Sequence, residues 1–163
     1  MTDDPREVST LAEKVTAQEQ NRAKPQPPGQ GLHIAAYFCP SDVASPFDTV
    51  KWVKRTATIK SEGGGVCFEQ PDCEVPESWS QLATNIVASK YFYGEMGTPQ
   101  RESSVHQLIH RVCRTIADWG IEDGYFATEE DGERFYRELA WLCLHQYAAF
   151  NSPVWFNVGL YQQ

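Results

Sequence analysis

No apolar run in this 163-residue chain approaches the roughly 20 residues that a membrane-spanning helix needs. The opening, MTDDPREVST, has neither the basic start nor the apolar stretch of a secretory signal, so a cytoplasmic location is expected. Basic residues are scarce. The 14 Lys and Arg against 22 Asp and Glu leave a formal net charge of −8. That excludes a free-standing nucleic-acid binder, which needs a basic face, but not nucleotide binding, which needs only a local pocket. Cysteines are few and odd in number: Cys39, Cys67, Cys73, Cys113 and Cys143, with no CxxC among them. A secreted disulfide framework is denser and even in count, so reduced thiols are expected. There are no internal repeats. Gly63-Gly64-Gly65 lacks the Lys-Ser/Thr ending and the following helix of a phosphate loop, which leaves a hairpin turn.

What is present is enough to build a core: 41% hydrophobic residues, 12% of the chain aromatic. Residues 1–31 read as a tail and linker. Glu7–Gln20 has sparse apolar positions for a helix, and the Pro/Gly stretch 24–31 holds neither helix nor central strand. Folding is expected from Leu32, with aromatic loop anchors at 37–40 and 45–48. Thr49–Lys60 suits a strand, 61–65 a turn and Val66–Gln70 a short return, giving a β-hairpin over 49–70. Three helices are predicted next. The first starts at a capping box of Ser78 and Gln81 and runs to Tyr91. The second runs from Ser103 to Trp119, with an apolar face of Val105, Leu108, Ile109, Val112, Cys113, Ile116 and Trp119, and Gly120 as its stop. The third runs from an N-cap at Thr128 to Ala149. The fold class is mainly α with one hairpin. After a polar Asn151-Ser152-Pro153 turn, Trp155–Leu160 reads as an apolar strand, which must pair with earlier segments or with chain beyond Gln163.

Several motifs bear on chemistry. His106 and His110 have the i, i+4 spacing of a helical zinc site, but Gln107 stands where zinc hydrolases of that pattern carry their general base, and a solvated helix face is expected instead. Cys67 and Cys73 have the placement for a disulfide or for two metal ligands, without a second pair to complete a tetrahedral site. Cys113 and Cys143 fall on apolar helix faces, where a free thiol packs as a small hydrophobe. The loop 124–128 leads into a helix start already supplied with acidic residues, so capping outweighs anion binding there. The 151–153 turn admits two readings, a helix stop or a site for a phosphate or sugar hydroxyl.

Five ordered blocks resemble the N-terminal region of class II, adenosylcobalamin-dependent ribonucleotide reductases: PFDTVKWVKRTATI (46–59), VPESWSQLATNIVASKYFYG (75–94), GTPQRESSVHQLIHRV (97–112), GYFATEEDGERFYREL (124–139) and HQYAAFNSPVWFNVGL (145–160). The resemblance implies a mainly helical region over 32–150 preceding a ten-stranded α/β barrel, with 151–163 as its truncated start and Trp155–Leu160 as the first barrel strand. It implies reduction of ribonucleotides, diphosphates above all, to deoxyribonucleotides by thiyl-radical chemistry, with adenosylcobalamin as cofactor and a thioredoxin-like reductant. It places a nucleotide effector site downstream and allows a homodimer in the full-length protein. The radical and redox cysteines fall outside this segment, so the chain by itself is expected to be inactive, with no catalytic residue and no metal ligand of its own. One position carries over: Ser152 matches the family's substrate-binding Ser. The alternative is a stand-alone helical interaction module without catalysis.

Overall fold

The computed structural model describes residues 30–160, so the expected tail and most of the linker lie outside the described residues. A 3-10 turn (Pro46–Thr49) leads into a hairpin, β1 (Trp52–Lys60) and β2 (Val66–Pro76). Four helices follow: α1 (Gln81–Lys90), α2 (Val105–Glu122), α3 (Glu129–Leu144) and α4 (Ser152–Asn157). The architecture is mainly α with one antiparallel hairpin, as expected. A two-stranded ribbon is marginal alone. Here it is held by α1 and α2 packed against it, with Ala57, Cys73 and Val75 buried in the same core as Leu108, Ile109, Val112 and Leu144.

The hairpin starts later and ends later than expected. Residues 46–49 form the 3-10 turn because Ser45 and Asp48 cap it reciprocally, with Phe47 N–H donating to Ser45 Oγ and Ser45 N–H to Asp48 Oδ2. The return strand runs on to Pro76, since Trp52 pairs with Pro76 and Val53 with Val75. Pro71 is tolerated because the register slips between Arg55 and Ala57, leaving Pro71 and Asp72 opposite Thr56 in a bulge where no ladder donor is needed. The predicted turn holds: Ser61 N–H donates to Gly65 O at 2.8 Å, and Gly64 has a φ of +81°.

Helix boundaries shift for identifiable reasons. Ser80, not Ser78, caps α1, accepting from Ala83 N–H at 3.0 Å. The Gln81 side chain turns to the hairpin and donates to Thr56 O, and Trp79 precedes the helix, its indole N–H donating to Leu144 O at 2.8 Å. In α2, Ser104 and Gln107 form the capping box, and the apolar face is buried through Cys113. At the far end Trp119 is 43% exposed. Gly120 does not stop the helix. It lies inside α2, where the absence of a Cβ lets the Phe126 ring pack 2.6 Å from the Cβ position, and the left-handed break comes at Gly124 (φ +73°). Thr128 caps α3 as predicted, accepting from Asp131 N–H. That helix ends at Leu144 rather than Ala149, because Gln146 turns left-handed (φ 61°) and Tyr147 N–H reaches back to Leu142 O at 2.9 Å.

The largest correction concerns the closing segment. The expected Trp155–Leu160 strand is absent; residues 152–157 form the short helix α4. Asn151 O accepts from Val154 N–H at 3.1 Å, and Pro153 sits in the first turn, where its missing N–H leaves nothing unpaired. Six residues do not hold a helix by themselves. Burial of Trp155 against the core stabilises this one.

Candidate functional site

The site predicted at Ser152 lies at the start of α4, facing the end of α1. Ser152 Oγ is 3.1 Å from Tyr91 Oη. Tyr91 is the residue that closes α1, and its backbone N–H still donates to Val87 O at 2.9 Å. Its ring sits 5.4 Å from that of Phe156 and 6.4 Å from that of Trp155, and Phe150 meets Trp155 edge-on at 5.3 Å. A cavity of about 220 Å³ lies beneath, lined by Trp79, Val87, Tyr91, Cys143, Phe150 and Trp155 among others. A polar hydroxyl pair therefore stands beside an aromatic hollow.

Two guanidinium groups, Arg101 part-buried and Arg111 buried, fix the two elements that carry this pair. Arg101 donates from Nη1 to Phe92 O at 2.6 Å and Gly94 O at 3.1 Å, and from Nη2 to Ala88 O at 2.6 Å. Ala88 O is one of the last-turn carbonyls that α1 leaves without a helical partner, and Phe92 O and Gly94 O belong to the segment just after it. Arg111 does the same for α4, donating to Val158 O at 2.7 Å and Trp155 O at 3.4 Å. Arg111 is paired to Glu102 at 2.8 Å, with side chains 5% and 9% exposed, and Glu102 also accepts from Tyr93 N–H at 2.8 Å. Gly159 (φ +80°) lets the chain pass this close: a Cβ there would lie 2.6 Å from Arg111 Cγ and 2.7 Å from Thr115 Oγ1. Sequence reasoning singled out Ser152 and missed Tyr91, Arg101, Glu102 and Arg111. One signal was available: Arg111 falls between Leu108 and Val112 on an otherwise apolar stripe, and a charge there must be paired.

The other candidates resolve individually. His106 and His110 stay on the exposed side of α2. His106 packs on Phe47, 3.9 Å between ring centres, and His110 Nδ1 is 2.6 Å from Tyr136 Oη. Desolvation, with His106 and Arg114 nearby, lowers the His110 pKa below its ordinary 6.5. Burial pushes the Tyr136 phenol up to about 12. Among the described residues no group of three or more His, Cys, Asp or Glu could hold a metal ion. Cys67 is exposed and Cys73 buried, both as free thiols, so the disulfide reading does not hold. Cys113 and Cys143 are buried between α2 and α3, as expected of packing thiols. The neighbouring Cys143 thiol together with burial raises the pKa of Cys113.

Residues 53–146 match the family model described as class II vitamin B12-dependent ribonucleotide reductase. Three proteins named vitamin B12-dependent ribonucleotide reductase are similar to the chain. That of Rhodopirellula baltica is 66% identical over 134 residues, covering 82% of this chain and 13% of the relative. That of Streptomyces coelicolor is 47% identical over 140 residues, covering 85% and 14%. That of Agrobacterium fabrum is 31% identical over 151 residues, covering 72% and 12%. The chain thus spans only about an eighth of the length of these relatives.

Proposed function

Since the chain belongs to the class II vitamin B12-dependent ribonucleotide reductase family, we propose that it is the N-terminal region of an enzyme that reduces ribonucleotides, diphosphates above all, to deoxyribonucleotides for DNA synthesis. The family match over residues 53–146 carries this reading. In the full-length protein the cofactor is adenosylcobalamin, and when bound it supplies the radical. A thioredoxin-like protein serves as reductant, a nucleotide effector binds downstream, and the enzyme works in the cytoplasm.

The main apolar hollow does not fit the cofactor itself. A corrin with its amide arms needs a broad face rich in polar partners. The apolar hollow of about 570 Å³ between α2, α3 and the 32–34 segment is walled by Ile34, Ile116, Trp119, Phe126 and Phe135 among others, a poor match to those amides. That hollow is therefore not assigned to the cofactor. The redox chemistry is assigned to chain outside residues 30–160, because Cys39, Cys73, Cys113 and Cys143 are buried and Cys67 sits alone on a hairpin bulge.

The role proposed for this region is to present Ser152 to the nucleotide. Its hydroxyl is half-buried at an element junction, and the contact proposed for it is donation to a phosphate oxygen. The test is steady-state kinetics of the full-length enzyme with CDP, adenosylcobalamin and a dithiol reductant. Deoxycytidine diphosphate should form, and the 163-residue chain alone should form none. Ser152→Ala should raise the KM for CDP with cobalamin binding unchanged, the lost bond to a charged group being worth about 1.5–3 kcal/mol. No deoxynucleotide from the full-length enzyme would overturn the reductase reading, and an unchanged KM would overturn the role of Ser152.

A further inference from the structure

We propose that Tyr91 is a positioning residue for Ser152: it donates to Ser152 Oγ and so leaves the serine proton directed at an anionic oxygen of the nucleotide. This rests on the substrate role of Ser152. The two hydroxyls are 3.1 Å apart and either can be the donor. A serine hydroxyl has one proton and two acceptor sites. An anionic partner can only accept, so it takes the serine proton, and the bond to tyrosine must then run from phenol to serine. That direction also suits the chemistry, since a phenol is the better donor, and a hydroxyl that accepts one bond is polarised to donate the next.

The framework around the pair supports a positioning role. Arg101 ties the last turn of α1 to the segment after Tyr91, by one bond to Ala88 O and two to Phe92 O and Gly94 O, and Arg111 holds the end of α4 by two. Arg101 and Glu102 are sequence neighbours, and Glu102 is the partner of Arg111, so one short stretch ties both ends. The Tyr91 ring is further held between Trp155 and Phe156. The hydroxyls thus meet because two separately anchored backbones bring them together, with little freedom left to the phenol.

The experiment is a double-mutant cycle in the full-length enzyme, with KM and kcat for CDP measured for Tyr91→Phe, Ser152→Ala and the pair. Phe keeps the ring contacts, and a thermal melt checks that each variant folds. Tyr91→Phe should raise KM about 3- to 10-fold, the range for one neutral hydrogen bond, with kcat nearly unchanged. In the Ser152→Ala background it should add nothing. If Ser152→Ala raises KM while Tyr91→Phe does not, or if the Tyr91→Phe effect persists in full without the serine hydroxyl, Tyr91 is not its positioning residue. If Ser152→Ala itself leaves KM unchanged, the serine role fails first and the tyrosine role with it.

Discussion

Arg111 is the residue on which the closing segment depends. Its charge is desolvated, and Glu102 and two carbonyls compensate it. Removing one member of such a pair leaves the other buried and unpaired, which costs about 3–5 kcal/mol. Arg111→Ala should therefore lower unfolding free energy by about that amount in urea titrations. The double change Arg111→Met with Glu102→Leu should cost less than either single truncation, because no orphan charge remains. Gly159→Ala should also destabilise, by more than about 1 kcal/mol, as its left-handed φ and the proximity of Arg111 Cγ both resist a Cβ. Thermal melts of the variant check this.

At the scale of elements, helix ends separate what local pattern predicts from what packing decides. Thr128 and the acidic first turn of α3 were legible because capping is a local event, confined to a few residues. The start of α1 was not: Ser78 and Ser80 both precede a helical pattern, and the choice falls to Ser80 because Trp79 is drawn into the core and Gln81 onto the hairpin. Ser80→Ala should cost about 1 kcal/mol in chemical denaturation, whereas Ser78→Ala, at an exposed position that caps nothing, should be close to neutral. The closing segment was misread for the same kind of reason. Val154, Trp155, Phe156 and Val158 have strand propensity, but that preference is weak against tertiary context. Pro153 opens a helical turn, Trp155 is buried, and Arg111 donates to the freed carbonyls.

For the molecule as a whole, acid should weaken the fold before carboxylates titrate. Partial desolvation holds the pKa of both His110, on the exposed side of α2 beside His106 and Arg114, and His145 below the ordinary 6.5. The unfolded chain then takes up protons first as pH falls, so stability is full above about 6.5 and declines below it until the folded-state values are passed. The melting temperature of the chain should fall between pH 7 and pH 5. Replacing both histidines by Asn should flatten that slope in a pH series of thermal melts.

Sequence alone determined the elements that rest on short-range physics: the glycine turn of the hairpin, the apolar stripe of α2, the Thr128 cap, the packing role of Cys113 and Cys143, and the family resemblance in ordered blocks. It also singled out Ser152. Tertiary structure decided where helices stop, that 152–157 is helical, and that Tyr91, 61 residues away, faces Ser152. The physical reason is range. Capping and periodicity act within one or two turns, whereas Arg101, Glu102 and Arg111 join the ends of α1 and α4, which no local pattern connects.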